Sequence, residues 1–291
     1  MIPGFLVQTT TQDKLILSGF LTEGDKSKPA NIMVHGFEGD FYTRKFLKQN
    51  IESLSKNGYA CISIMTRGTG VHTVISREGL DSITLGSYNE KIEESHLDIN
   101  AWIQFLKDQG YTSFNLIGHS LGTIKVTRYL FEGEFKNLIN KLILLAPFDK
   151  NGYIIRHSGD NFQERLTNVI EMVKKGKGKD IVPNEYEDYP ISYNTYKSWY
   201  IQDDLSCMFD FYKGSNYKFP VLNNINIPVK IIVGDKDDFL YMPEYNTLDS
   251  VESILRKNIK NLDLSILPGC GHIYLGYEND VSNLVTKFVN E

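Results

Sequence analysis

The feature that most restricts the folds open to this chain is an alternation of short apolar runs with longer amphipathic stretches. The runs are rich in β-branched residues and show little polar alternation, which is typical of strands covered on both faces. They occupy residues 30–36, 59–70, 114–120, 141–147, 229–235 and 263–269. Stretches with helical spacing occupy residues 44–58, 91–110 and 279–289.

Strands that alternate with helices predict an α/β protein with a doubly wound, mostly parallel sheet and right-handed crossovers. An additional strand-like run, residues 14–21, is predicted to form part of an antiparallel ribbon near the N-terminus. In open sheets of this kind, ligands bind beyond the carboxyl ends of the strands. Each apolar run ends there in glycine or polar residues, so we expect the functional site at that edge.

Residues 149–219 interrupt the strand–helix rhythm and are unusually dense in aromatic side chains. We predict that they form a cap inserted into a core made of residues 1–148 and 220–291. The insertion would leave the sheet after Pro147, at the carboxyl end of a strand, where it can fold over the site. Its rings offer a flat apolar surface for an aromatic or medium-length acyl group; the alternative is that they form only the cap's own core.

The run at residues 114–117 stops at the pentapeptide GHSLG, residues 118–122, and a helical pattern follows it. A sharp turn from strand to helix needs small residues on both sides, here Gly118 and Gly122, and it leaves the central serine exposed at its apex. Ser120 is therefore a candidate nucleophile. The simpler interpretation is a serine that caps the following helix.

A serine nucleophile needs a base, and the base needs a carboxylate to orient it. Two histidines follow Ser120: His157, in the predicted cap, and His272, on a glycine-rich loop after the last strand-like run. We predict His272 as the base. Asp237, two residues beyond the Gly-Asp pair that ends the preceding run, is the predicted acid, with Asp238 and then Asp235 as alternatives.

Backbone amides must also stabilise the oxyanion of a tetrahedral intermediate. The residue after the nucleophile, Leu121, supplies one amide. The loop after the first core strand, HGFEGD at residues 35–40, can supply the other through Phe37. The alternative for that loop is a simple turn at the end of a strand.

These motifs, in this order, resemble the α/β-hydrolase superfamily over most of the chain outside the cap. The segments HGFEGD and TRGTG (residues 66–70) are most similar to bacterial serine esterases of the cinnamoyl and feruloyl type and to related acyl-hydrolases. The resemblance implies Ser120, Asp237 and His272 as the catalytic triad. It also implies Phe37 and Leu121 as oxyanion donors. At the tip of the second loop, relatives usually have more acidic residues and a histidine, where this chain has Thr66 and Thr69.

The predicted activity is hydrolysis of a carboxylic ester through an acyl-enzyme, with no cofactor and no metal. The same triad would serve a thioesterase, an amidase or a carbon–carbon bond hydrolase, and the scaffold could also serve a ligand receptor without catalysis. An aspartate at position 120 would indicate a dehalogenase, but the residue is serine.

Composition and charge restrict the classes of binding partner that we expect for this chain. The net charge is −5, which disfavours nucleic acid and anionic membranes. We expect a small-molecule ester or thioester as the partner, and the sequence does not indicate an oligomeric state. No signal peptide or membrane-spanning run is visible, and Cys61, Cys207 and Cys270 lack metal-ligand spacing. We therefore predict a cytoplasmic protein.

Overall fold

The computed structural model describes residues 2–201, 203–240 and 247–291 and contains an eight-stranded sheet and a separate hairpin. The strands, in chain order, are β1 (Phe5–Thr10), β2 (Ile16–Thr22), β3 (Ala30–Val34), β4 (Cys61–Ile64), β5 (Thr73–Arg77), β6 (Leu80–Leu85), β7 (Phe114–His119), β8 (Ile139–Leu145), β9 (Val229–Gly234) and β10 (Leu262–Leu267). The helices are α1 (Lys45–Lys56), α2 (Ser95–Asp108), α3 (Leu121–Glu132), α4 (Lys150–Ser158), α5 (Phe162–Lys174), α6 (Tyr193–Tyr200), α7 (Pro220–Asn223), α8 (Leu248–Asn258) and α9 (Glu278–Asn290).

The large sheet has the order β1-β2-β4-β3-β7-β8-β9-β10. The five pairs from β4 to β10 are parallel, whereas β1 pairs antiparallel with β2 and β2 antiparallel with β4. The predicted mostly parallel sheet and the N-terminal antiparallel ribbon are therefore confirmed. The register aligns Val34 with Gly118 and Gly118 with Leu144, so β3, β7 and β8 end at the same edge of the sheet.

Helices cover both faces of this sheet. Successive strand residues point to opposite sides, so neighbouring residues of one strand lie in different cores. On β7, Leu116 faces a core that includes Trp102 of α2 and Ile124 of α3. Its neighbour Ile117 faces a second core that includes Phe46 of α1 and contributions from α9. Both cores are apolar and buried, which fits the near-continuous hydrophobic character of the strands.

The hairpin β5–β6 was not predicted from the sequence. Most of its side chains are exposed or half-buried, and only Ile75 is fully buried. The turn contains Gly79 with φ +70°. A single buried residue gives only a weak hydrophobic periodicity, so the sequence does not predict this hairpin.

Residues 149–219 lie between β8 and β9 and contain α4, α5, α6 and short turns. Apolar side chains of these helices, such as Ile154, Val169 and Tyr196, join the core that also covers one face of the sheet. Among the residues that the structure describes, no helix is long and apolar enough to cross a membrane.

Candidate active site

Ser120 stands at the turn between β7 and α3, with φ +53° and ψ −124°. This left-handed conformation is strained for a residue with a side chain and costs about 1–3 kcal/mol. The backbone amide of Ser120 donates to the carbonyl of Leu145 (3.0 Å), which helps to hold the turn on the neighbouring strand. A Cβ at Gly118 would overlap the backbone of Gly122, and one at Gly122 would overlap the carbonyl of Val34. The two glycines are therefore required by close packing.

A continuous chain of hydrogen bonds links Ser120 to a carboxylate. The Oγ of Ser120 lies 2.8 Å from Nε2 of His272, and Nδ1 of His272 lies 2.9 Å from both oxygens of Asp237. Because a carboxylate only accepts, Nδ1 of His272 carries the hydrogen and Nε2 is left to accept the proton of Ser120. Asp237 is fully buried, while 13% of the His272 side chain is exposed to solvent.

The alternative acids occupy other positions. The carboxylate of Asp235 accepts the backbone amide of Gly269 (2.7 Å), whereas Asp238 is exposed. The other downstream histidine, His157, bonds to the carbonyl of Tyr153 within α4. Of the three predicted aspartates, the structure brings only Asp237 to His272.

The two predicted oxyanion donors lie beside Ser120. Leu121 is the first residue of α3, and Phe37 follows Gly36 in the loop after β3. A Cβ placed on Gly36 would be only 2.8 Å from Cβ of Ser120, so this loop packs directly against the serine. Within the described parts of the chain, neither the Phe37 amide nor the Leu121 amide donates a hydrogen bond.

His35 holds the loop that carries Phe37. Its Nδ1 donates to the carbonyl of Gly36 (2.8 Å), and the single lone pair of its Nε2 lies within hydrogen-bond distance of the hydroxyls of Thr69 (2.8 Å) and Thr66 (3.0 Å). Burial lowers the pKa of His35 to about 3, so the ring is neutral and can both donate and accept. The two threonines of the second loop, Thr66 and Thr69, are thus the partners of this histidine.

His119 is the second residue of the GHSLG pentapeptide and directly precedes Ser120. It holds the backbone of His272, the predicted base. Its Nε2 donates to the backbone carbonyl of His272 (3.0 Å), and its ring packs against Phe46 and Tyr274. Burial, and then the neighbouring His272, lower the pKa of His119 to about 3. This role could not be predicted from the sequence, because the two residues joined by the hydrogen bond are 153 positions apart in the chain.

A pocket of about 220 Å³ opens at Ser120 and His272. Phe37 contributes to its wall and packs edge-on against Tyr189 and Trp199 of the inserted segment, with ring centroids 4.8 and 5.0 Å away. The inserted segment also lines the pocket with Tyr153, Glu187 and Tyr200, and the core adds Phe148 and Phe239. The ring of Tyr196 is fully buried and does not line the pocket.

The sequence matches the α/β hydrolase fold family over residues 32–275, and the chain belongs to that family. It is an enzyme of the hydrolase type. It is 26% identical over 281 residues to a candidate non-heme chloroperoxidase of Synechocystis, and the match covers 89% of this chain and 90% of that protein. A match to epoxide hydrolase 3 of Xenopus tropicalis is 24% identical over 164 residues. It spans 55% of this chain but only 40% of the frog protein.

Among solved structures, the fold is similar to that of Est1E from Butyrivibrio proteoclasticus with ferulic acid bound. The TM-score is 0.65 and the sequence identity is 17%, with 98% of each chain covered. At this identity the likeness concerns the fold. The chain is thus related to esterases in architecture.

Proposed function

We propose that the protein is a serine hydrolase that cleaves a carboxylic ester through an acyl-enzyme intermediate. The observation that carries the proposal is the hydrogen-bonded chain from Asp237 through His272 to Ser120, set at a strained strand-to-helix turn. A nucleophile, a base within reach of its proton and a carboxylate that orients the base are the groups that acyl transfer requires.

In the first half-reaction, Oγ of Ser120 attacks the ester carbonyl while Nε2 of His272 takes its proton. The carbonyl oxygen becomes an oxyanion, for which the amides of Phe37 and Leu121 are the available donors. The buried Asp237 keeps His272 in the required tautomer and stabilises the imidazolium. Collapse of the intermediate expels the alkoxide, which receives the proton from Nε2, and the acyl group remains on Ser120.

In the second half-reaction, water replaces the alcohol. His272 removes a proton from the water as it attacks the acyl-enzyme, and the same amides serve the second oxyanion. When that intermediate collapses, His272 returns the proton to Oγ of Ser120. The products are one carboxylic acid and one alcohol, and the reaction uses one water and no cofactor.

We further propose that residues 149–219 act as the cap of this site and that residues 1–148 and 220–291 are the catalytic core. The position of this segment between β8 and β9, and the five residues it contributes to the pocket wall, support this role. The partner is then a small-molecule ester or thioester. All three cysteines are buried thiols, which supports a reducing, cytoplasmic location.

A substrate panel with one acyl group and different leaving groups tests this proposal. An ester, a thioester and an anilide are mixed with enzyme, quenched in acid and analysed by mass. We expect the ester to have the highest kcat/KM and the acyl group to appear on the peptide that contains Ser120. A thioester preference above tenfold would favour a thioesterase, and a panel without turnover or acylated peptide would contradict the proposal.

A further inference from the structure

Glu187 is a buried carboxyl in the wall of the active-site pocket. Its exposed fraction is 5%, whereas Glu38, the other glutamate of the wall, is exposed. One oxygen of Glu187 accepts the hydroxyl of Tyr200 (2.7 Å), and the other accepts the backbone amide of Asp188 (3.1 Å). A carboxylate has about four acceptor sites, so it retains capacity for a further donor.

The charge of Glu187 is poorly compensated by the protein. No lysine or arginine of the described chain acts on its pKa, and Arg44, the cation of the pocket wall, is exposed. The pKa of Glu187 is raised mainly by burial, and His157 opposes this rise only as a minor effect. His157 itself lies 3.9 Å from the carboxylate of Asp188. A positive group inside the pocket would offset the cost of burying this carboxylate.

The rest of the wall also suits a cation. Eight aromatic residues line the pocket together with Glu187, and the faces of such rings attract positive charge. His35 and His119 are held neutral, so they place no opposing positive charge beside the site. The eight rings belong to Phe37, Phe46, Phe148, Tyr153, Tyr189, Trp199, Tyr200 and Phe239.

We propose that the substrate carries an ammonium group and that Glu187 is its counter-ion within the aromatic pocket. This inference rests on the proposed function, because it names the substrate class of the same site. It makes Glu187 a specificity-determining residue. The favoured substrates are esters of an amino acid or of an amino alcohol rather than purely apolar esters.

The test compares three matched esters of equal length that end in a methyl, a hydroxyl or an ammonium group. One series carries this group on the acyl part and another on the alcohol part, with two to six carbons between it and the ester. The variant Glu187→Gln keeps the size of the side chain and an acceptor for Tyr200 but loses the charge. Glu185→Gln, an exposed glutamate on the same loop that does not line the pocket, is the matched control.

In the wild type and in Glu185→Gln, we expect kcat/KM for the ammonium ester to exceed that of the methyl ester by about tenfold or more. Glu187→Gln should abolish this preference while the methyl ester changes by less than about threefold. Equal loss for all three esters would show that Glu187 only supports Tyr200, and it would overturn the proposal. A hydroxyl ester preferred as strongly as the ammonium ester would also overturn it.

A binding measurement separates this inference from the esterase proposal. Amides that end in methyl or ammonium are titrated by calorimetry into Ser120→Ala, alone and combined with Glu187→Gln. Tighter binding of the ammonium amide that depends on Glu187 would sustain the inference even if no ester is hydrolysed. Equal binding of the two amides would overturn it even if Ser120 proves to be the nucleophile.

Discussion

His35 and His119 are set by their surroundings to act as fixed hydrogen-bonding groups. Each is buried and has a pKa of about 3, so neither carries a proton to or from substrate near neutral pH. His35 ties the loop of Phe37 to the threonines of the next loop, and His119 holds the backbone of His272. The geometry of the proposed base and oxyanion donors therefore depends on two histidines that remain uncharged.

Asp237 gives the first prediction at the residue scale. Asp237→Asn keeps the size of the side chain but removes the charge that stabilises the His272 imidazolium, and it can select the wrong tautomer. We expect kcat/KM to fall by about 10³-fold or more. Asp238→Asn, next to it but exposed, should change kcat/KM by less than about threefold. The reverse ranking in ester assays would assign the acid to Asp238.

Because the buried histidines have low pKa values, we expect the free energy of unfolding to fall in acid. The pKa of His119 is about 3 in the folded protein against 6.5 as its ordinary value, so below pH 6.5 the unfolded chain binds a proton that the folded chain does not. This contribution to stability is present above pH 6.5 and is lost as the pH falls towards 3. His119→Gln, which can still donate to His272, should reduce the loss by about 1 kcal/mol per pH unit between pH 6.5 and 5.

Urea unfolding at pH 7.5, 6.0 and 5.0 measures this effect. His72→Gln, a substitution at an exposed histidine, serves as the control and should leave the pH dependence as in the wild type. If His119→Gln also has the wild-type slope, His119 is protonated in the folded protein and the account of its burial is wrong.

At the scale of secondary structure, helix α6 presents two aromatic residues to different surroundings. Trp199 lines the pocket and packs on Phe37, while Tyr196 lies in the core between Tyr186 and Tyr200. Trp199→Ala should therefore change the relative kcat/KM for short, long and aromatic esters. Tyr196→Ala should leave those ratios unchanged and lower the free energy of unfolding by about 3 kcal/mol or more.

For both variants, the melting temperature is measured together with kcat/KM for each ester of the panel. If Trp199→Ala only lowers the melting temperature and keeps the wild-type ratios of kcat/KM, α6 is structural and substrate choice resides elsewhere in the pocket wall. A change of ratios in Tyr196→Ala of the same size would contradict the separation of the two faces.

At the scale of the whole molecule, the site joins residues that are far apart in the chain. Phe37, Ser120, Asp237 and His272 each follow a strand whose carboxyl end lies at one edge of the sheet. This common edge made their grouping predictable, because the apolar run before each of these four residues ends in glycine or polar residues at that point. The glycine spacing of the GHSLG pentapeptide then predicted the nucleophile, and the position of the aspartate after β9 predicted the acid.

Other features could not be read from the sequence, for physical reasons. The hairpin β5–β6 has too few buried residues to give a periodic signal. His35 and His119 act through hydrogen bonds to Thr69 and His272. These partners are distant in the chain and are brought close only by the fold, so the sequence around each histidine does not indicate them. The sequence also could not separate Trp199 from Tyr196, since the direction of each ring is set by tertiary packing.

The measurement that tests the central claim most directly is mass analysis of the protein after reaction with a fluorophosphonate, which reacts with activated serines. The account predicts one adduct per wild-type chain, located on Ser120, with ester hydrolysis lost in proportion to labelling. Ser120→Ala should fold with an unchanged melting temperature, remain unlabelled and lose about 10³-fold or more in kcat/KM. An adduct on another serine, or near wild-type turnover by Ser120→Ala, would contradict the claim that Ser120 is the nucleophile.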